Sequence, residues 1–124
     1  MARILIADDE LSMREMLALA CRLDGHDVLQ AYDTGSAISA YVSGKPDLMI
    51  LDLSMPGGGG TEVLNALRGS GAALCPVVVV TGYLDSVPVR MREGLGAFAL
   101  IEKPFAMDTL RDAVRGALAS RNNA

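Results

Sequence analysis

The chain has 124 residues, of which 51% are hydrophobic and 21% charged, a composition that supports one domain with a buried core and excludes a disordered polyelectrolyte. Its formal net charge of −4 at pH 7 argues against the basic face that non-specific nucleic-acid binding requires, so we expect no direct contact with DNA. Two distant cysteines and a single histidine exclude a zinc site, and the lack of a signal peptide or a ~20-residue apolar stretch predicts a cytoplasmic location.

Five short apolar runs predict the strands of a sheet. They comprise residues 4–7, 27–31, 48–51, 77–80 and 98–101. The first, third and fourth are apolar throughout, as expected of central parallel strands that helices cover on both faces. The second includes Gln30 and predicts an edge strand. Together the runs favour a three-layer, doubly wound α/β sandwich with five helices and a five-stranded parallel sheet in the flavodoxin-like order 2-1-3-4-5.

Amphipathic segments between and after these runs predict the five helices. The first begins with the capping-box pattern of Ser12 and Glu15. The second ends at Gly44, and Thr61 is expected to cap the third. The fourth is weaker and carries Pro88 in its first turn, where a missing N–H is tolerated. The side chains predicted to face the core are Met13, Met16, Leu17, Ala20 and Cys21 in the first helix, Ala37, Ile38, Tyr41 and Val42 in the second, Val63, Leu64 and Leu67 in the third, and Leu110, Ala113, Val114, Ala117 and Leu118 in the fifth.

Polar side chains follow four of the predicted strands. Asp8 and Asp9 follow the first strand, Asp52 the third, Thr81 the fourth, and Lys103 comes shortly after the fifth. Because parallel strands of an open sheet end at one edge, we expect these side chains to share a crevice there. Three carboxylates that repel one another favour a bound cation, and hard oxygen ligands beside an open pocket suit Mg²⁺.

The residue types in this crevice suit phosphoryl transfer. Asp52 is the predicted nucleophile, because a carboxylate can attack a phosphoryl group and form an acyl phosphate. Lys103 can neutralise charge on the transferring group, and Thr81 can donate its hydroxyl to it. Gly82, which follows Thr81, leaves room for a backbone N–H to approach the phosphate.

Four signatures at family-like spacings resemble the response-regulator receiver domain. They are Ala7-Asp8-Asp9-Glu10, Asp52-Leu53-Ser54-Met55-Pro56-Gly57, Thr81-Gly82 and Lys103-Pro104-Phe105. The resemblance runs from Arg3 to about Ala119, and we expect a receiver domain at residues 1–120 followed by a short tail at 121–124. It implies that Asp52 accepts a phosphoryl group from a phosphohistidine on a sensor histidine kinase or a histidine phosphotransfer protein, in two-component or phosphorelay signal transduction.

The resemblance also assigns the other site residues. It implies Mg²⁺ held by Asp9, Asp52 and the backbone carbonyl of Ser54, with Asp8 acting largely through water. Thr81 and Lys103 would bind the phosphoryl oxygens, and Thr81 would move towards them on activation. The output would be a protein contact on the face of the fourth helix, fifth strand and fifth helix, without turnover of an external substrate.

The sequence departs from the family pattern at two places. Leu100 occupies the position where receivers usually carry a switch Tyr or Phe, which predicts a muted or differently wired switch. Tyr83 or Phe98 could substitute for the switch aromatic, although plain packing is the expected role of each. The four glycines at positions 57–60 replace the usual one or two, and they predict a loop that is mobile without Mg²⁺.

Two other functions share part of this chemistry. An aspartate-nucleophile phosphatase would carry its nucleophile after the first strand and a second acid two residues later, whereas Asp8 and Asp9 are adjacent. Turnover of a phosphomonoester would identify such an enzyme. A flavin-binding protein would need a Ser/Thr/Gly phosphate loop after the first strand, which the sequence lacks, and a colourless purified protein would dismiss it.

Overall fold

The computed structural model describes residues 2–71 and 73–122, along which strands and helices alternate. The strands are β1 (Arg3–Ala7), β2 (Asp27–Ala31), β3 (Leu48–Asp52), β4 (Val77–Thr81) and β5 (Ala99–Glu102). The helices are α1 (Leu11–Leu23), α2 (Thr34–Gly44), α3 (Gly59–Gly69), α4 (Val89–Gly94) and α5 (Met107–Asn122), with a 3-10 turn at Leu84–Ser86 before α4. Among the described residues, no helix has both the length and the apolar character that crossing a bilayer requires.

The five strands form one parallel sheet in the order β2-β1-β3-β4-β5, which confirms the predicted fold. Every residue of β3 and β4 is buried, as expected of central strands covered on both faces. In β2 only Ala31 is fully buried, which fits its position at the edge. The order reverses direction between β1 and β3, so the crevice lies where the chain connections diverge at the carboxyl ends of these two strands.

Alternation along the strands divides the core into two layers. Ile4 and Ile6 of β1 pack in the cluster that includes the inner faces of α1 and α5, while Leu5 and Ala7 pack in the cluster that includes those of α2 and α3. Predicted core positions that are buried are Leu17, Cys21, Ala37, Val63, Leu64, Leu67, Leu110, Val114 and Ala117. The helical stripes read from the sequence therefore cover the two faces of the sheet.

The start of α1 differs from the prediction. The helix already begins at Leu11, and within the described residues no side chain caps its N-terminus, so the predicted capping box of Ser12 and Glu15 is wrong. Asp8 sets the turn instead, because its Oδ1 accepts a hydrogen bond of 2.9 Å from the backbone N–H of Glu10. A residue of the crevice therefore determines where the helix starts.

Two side chains predicted in the core lie on the surface. Met16 is 41% exposed and Val42 is 64% exposed. Each sits at the margin of its helical face, where a rotation of 100° per residue carries the side chain away from the sheet. At the other end of the chain α5 continues to Asn122, and positions 123 and 124 of the predicted tail lie outside the described residues.

Hydrogen bonds hold α4 along its length, and its buried C-cap, Leu95, anchors its end in the core. None of its six residues is buried. Arg92, within the helix, donates to the carbonyls of Val87 and Leu84 at 2.9 and 2.6 Å. Arg68 of α3 reaches the other end of α4 and donates to the carbonyl of Gly94 at 3.2 Å. Two arginines therefore fasten this short helix to the rest of the domain.

Candidate functional site

The predicted crevice is present at the carboxyl ends of the strands. Asp8, Asp52 and Thr81 are at most 3% exposed, whereas Asp9 is open to solvent. One carboxylate oxygen from each of the three aspartates lies within 4.8 Å of the others. Thr81 ends the strand next to that of Asp52, and its carbonyl accepts the backbone N–H of Lys103 at 2.8 Å. The structure thus brings the residues predicted from strand ends to one edge of the sheet.

Lys103 lies between two of the carboxylates. Its ammonium is 2.8 Å from Asp8 Oδ2 and 3.4 Å from Asp52 Oδ2. Burial of the side chain disfavours its charge, but the hydrogen bond to Asp8 and the attraction of both carboxylates outweigh burial and raise the pKa of Lys103. The side chain is therefore cationic at neutral pH, as a donor to phosphoryl oxygens must be.

Asp52 has its two carboxylate oxygens in different surroundings. Oδ1 accepts a hydrogen bond of 2.9 Å from the backbone N–H of Ser54, and Oδ2 faces Lys103. Burial raises the pKa of Asp52 above its usual value, while the Ser54 N–H and the charge of Lys103 act in the opposite direction and the charge of Asp8 adds to the rise. The carboxylate is thus crowded and poorly solvated.

The three carboxylates fit a divalent cation. Among the described residues, three carboxylates and the ammonium of Lys103 meet in the crevice, which therefore carries an excess of negative charge. All three donors are hard oxygens, and the exposure of Asp9 leaves the cluster open to water on one side. Mg²⁺ prefers such a set, because it binds a few carboxylates and keeps several waters.

Arg14, which no sequence motif assigns to the site, supports the turn at Asp8. Its Nη1 donates to the backbone carbonyl of Asp8 at 2.8 Å, and its Nε donates to the side chain of Gln30 at 3.0 Å. The N–H of Asp8 in turn donates to Ala31 at 3.1 Å. The peptide groups on both sides of Asp8 are therefore fixed. The contact depends on α1 lying back over the strand ends, and local spacing gives no signal for it.

Comparison with known proteins identifies the family. The sequence model of the family described as "Response regulator receiver domain" matches residues 4–115. The chain belongs to this family. Receiver domains accept a phosphoryl group on an aspartate in two-component signalling, and the crevice has the residue types for that reaction.

Individual relatives agree with this membership. The "DNA-binding response regulator MtrA" of Mycolicibacterium paratuberculosis is 37% identical over 116 residues, which cover 94% of this chain and 51% of the relative. The "Response regulator MprA" of Mycobacterium tuberculosis is 39% identical over 118 residues, which cover 94% and 50%. A response regulator receiver domain protein from Clostridium thermocellum superposes with a TM-score of 0.85 at 26% identity, over 98% of both chains. This receiver domain spans about half the length of the curated relatives it matches.

The four glycines at positions 57–60 form a loop beside the site of this receiver domain, which we call the glycine loop. Its first three residues all have positive φ, at 94° for Gly57, 119° for Gly58 and 81° for Gly59. Residues other than glycine rarely adopt such φ values. The backbone conformation of the loop therefore requires glycine at these three positions. Helix α3 begins inside the loop at Gly59, and the predicted cap at Thr61 is therefore wrong.

Close backbone contacts add a second requirement for glycine. A Cβ at Gly59 would lie 2.6 Å from the carbonyl oxygen of Leu53, and a Cβ at Gly60 would lie 2.5 Å from the carbonyl oxygen of Asp52. The glycine loop therefore packs directly on the backbone that carries the phosphoacceptor candidate. Its predicted mobility without Mg²⁺ stays a prediction.

The aromatic positions of this receiver domain differ from expectation. Leu100 is half-buried in β5, opposite Val79 in the sheet register. Tyr83 is 66% exposed and Phe98 is 47% exposed, so neither packs as a core aromatic. Tyr83 lies in the loop that follows β4, and Phe98 precedes β5 with its ring against Gly116 of α5. Tyr83 and Phe98 therefore both lie outside the strands that the helices cover.

Proposed function

We propose that Asp52 of this receiver domain accepts a phosphoryl group from a phosphohistidine on a sensor histidine kinase or a histidine phosphotransfer protein. The placement of Asp52 is the observation that supports this proposal. Its carboxylate is buried among the crevice residues, with Oδ1 oriented by the Ser54 N–H and Oδ2 facing Lys103. The partner class follows from family membership, because the role of a receiver in two-component signalling implies a histidine kinase.

The transfer is a displacement at phosphorus. A carboxylate oxygen of Asp52 attacks the phosphorus, the phosphorus–nitrogen bond of the phosphohistidine breaks, and the imidazole leaves with the electron pair. The product is an acyl phosphate on Asp52. Lys103 then turns from Asp8 to the phosphoryl oxygens. Thr81 donates its hydroxyl proton to them, which its lone-pair contact with the N–H of Tyr83 at 3.1 Å leaves free to do.

Mg²⁺ is part of this proposal. Asp9, Asp52 and the backbone carbonyl of Ser54 would hold it, with Asp8 acting largely through water. When bound, the ion supplies positive charge to the phosphoryl oxygens. The exposure of Asp9 supports this arrangement, since a side chain open to solvent can rotate to bind an ion that enters from water.

The domain acts as a switch for protein contacts and turns over no separate substrate. The face formed by α4, β5 and α5 is proposed to bind the downstream protein. Exposed apolar side chains at or beside this face support the assignment, with Val89 at 64%, Met91 at 47% and Phe98 at 47% exposure. DNA binding is named for the relative MtrA, of which this chain covers about half. The acidic charge of the receiver supports a role without direct contact to nucleic acid.

Intact mass spectrometry after incubation with acetyl phosphate and Mg²⁺ tests the proposal. Wild type should gain one phosphoryl adduct, and Asp52→Ala should gain none. Asp112→Asn is the matched control, because Asp112 is an exposed aspartate on α5, and it should be modified like wild type. An adduct on both wild type and Asp52→Ala would overturn the assignment of Asp52. The absence of any adduct on wild type would overturn the function.

A further inference from the structure

We propose that Thr34, at the start of α2, is a positioning residue for the phosphoryl-transfer site. It does not touch the reacting atoms and acts by fixing the glycine loop that follows Asp52. This inference rests on the proposed function for its biological meaning, while the loop contacts stand on the geometry alone.

Thr34 binds the glycine loop at two points. Its backbone N–H donates to the carbonyl of Pro56 at 3.0 Å, and its Oγ1 donates to the carbonyl of Gly59 at 3.1 Å. These two carbonyls stand on either side of Gly57 and Gly58 in the chain, so one residue holds both ends of the tightest part of the loop. Thr34 is only 5% exposed, which protects both hydrogen bonds from water.

The glycine loop depends on such a restraint from outside. Glycine loses more backbone freedom on folding than any other residue, and three successive residues here adopt positive φ without a side chain to fasten them. A Cβ at Gly57 would lie 3.3 Å from the Cβ of Thr34, closer than ordinary van der Waals contact, so the loop passes Thr34 with no room for a side chain at this position. A threonine of α2 thus supplies the packing and the hydrogen bonds that the loop cannot make with side chains of its own.

The loop connects this restraint to the site. Ser54 precedes the glycines, donates its N–H to Asp52 and offers the carbonyl proposed to bind Mg²⁺. Between Ser54 and the glycines, Met55 is buried and anchors the segment in the core. Gly60 closes the loop by donating its N–H to the carbonyl of Leu53 at 3.0 Å. Ser54 lies two residues before Pro56, so a loss of order at Pro56 has the Met55 anchor alone between it and the Ser54 carbonyl in the chain.

Hydrogen exchange and Mg²⁺ titration, both without a phosphoryl donor, test the inference. Thr34→Val removes the hydroxyl at nearly constant shape, and Thr34→Ser keeps it. We expect Thr34→Val to speed amide exchange in the glycine loop by about three- to tenfold and to weaken Mg²⁺ binding by a similar factor, the usual effect of one lost hydrogen bond. Thr34→Ser should stay close to wild type. Thr61→Val, a half-buried threonine one residue past the loop, is the matched control and should leave both quantities unchanged.

A second measurement separates positioning from general stability. With Mg²⁺ raised to saturation, Thr34→Val should react with acetyl phosphate at the wild-type rate, since the reacting groups are intact. The inference would be overturned if Thr34→Val kept the amide exchange rates and the Mg²⁺ affinity of wild type. It would also be overturned if exchange in β1 and β3 accelerated as much as exchange in the glycine loop. If wild type formed no acyl phosphate, the proposed function would fail, whereas the exchange results would still decide the role of Thr34 in the loop.

Discussion

Lys103 lies closer to Asp8 than to Asp52, at 2.8 Å against 3.4 Å. Before phosphorylation the lysine therefore neutralises first Asp8, the buried aspartate that follows β1, and second the phosphoacceptor candidate. Arrival of a phosphoryl group on Asp52 would change this preference, because three new anionic oxygens would compete for the ammonium. Lys103 would thus bind the acyl phosphate on Asp52 by giving up its contact with Asp8.

Replacement of Lys103 should lower the stability of the metal-free protein. Lys103→Met leaves the buried carboxylates of Asp8 and Asp52 without their cation, and we expect a loss of about 1–3 kcal/mol in the free energy of unfolding. Urea denaturation measures this loss. Because the folded-state pKa of Lys103 is raised, its contribution is complete at neutral pH and is lost only as the pH rises through that pKa.

A surface ion pair supplies the control for Lys103. Arg115 and Asp112 form an i,i+3 pair whose side chains are 72% and 75% exposed. Arg115→Met should change stability by less than about 0.5 kcal/mol. Equal losses in the two variants would show that Lys103 contributes no more than an exposed charge.

Asp52→Asn should stabilise the protein without metal. Burial raises the pKa of Asp52, so the ionised carboxylate is disfavoured in the folded state. Removing the charge should raise the free energy of unfolding by about 1 kcal/mol at neutral pH, because functional sites commonly reduce the stability of the fold. This gain should vanish as the pH falls below the ordinary Asp value of 3.8, because the wild-type carboxyl is then neutral in both folded and unfolded states. Unfolding curves over a pH series would contradict the assignment if the gain grew towards acid.

Mg²⁺ should raise the thermal stability of wild type in a concentration-dependent way. A ligand present at 100 times its Kd and specific for the folded state adds about 2.7 kcal/mol. Asp9→Asn should lose most of this effect while keeping wild-type stability without Mg²⁺, because Asp9 is exposed. Calorimetric melting with and without Mg²⁺ measures both quantities. Full stabilisation of Asp9→Asn by the ion would remove Asp9 from the ligand set.

Gly60 should not tolerate even alanine. Its Cβ would lie 2.5 Å from the carbonyl oxygen of Asp52, which is backbone and has little freedom to move. We expect Gly60→Ala to lower the free energy of unfolding by about 1–3 kcal/mol. Gly69→Ala is the control, since a Cβ there meets nothing within 4 Å, and it should be neutral or stabilise α3 by about 0.5–1 kcal/mol. Similar effects of the two substitutions in denaturant titrations would refute the close contact.

Because Leu100 stands in place of the switch aromatic, we predict that phosphorylation changes the conformation of β5 only slightly. NMR amide shifts with and without a phosphoryl mimic should change strongly around Thr81 and weakly around Leu100. Leu100→Tyr provides the comparison, because an aromatic at this position can rotate between buried and exposed states. Large shifts around Leu100 in wild type would count against a muted switch.

The site residues at strand ends could be predicted from the sequence, because residues that follow parallel strands lie together at one edge of the sheet. Asp8, Asp52 and Thr81 needed only the apolar runs before them. Arg14 and Thr34 could not be predicted, since their partners lie on segments that meet only after folding. The four glycines in the sequence predict a loop with high backbone entropy, whereas the structure shows that its backbone angles and the neighbouring carbonyls require glycine. The start of α1 depends on the local hydrogen bond from Glu10 to Asp8, and the start of α3 on the close backbone contacts of Gly59 and Gly60.

The attachment of α4 bears on how a change at Thr81 could reach the surface. No residue of α4 itself is buried, so the helix can shift without opening a cavity in the core as long as its C-cap, the buried Leu95, stays in place. What resists such a shift is a small set of carbonyl contacts to Arg68 and Arg92. Hydrogen bonds from charged groups contribute about 1.5–3 kcal/mol each, a scale that one newly formed phosphoryl contact can match. The outer edge of this domain can therefore change shape while its interior stays as it is.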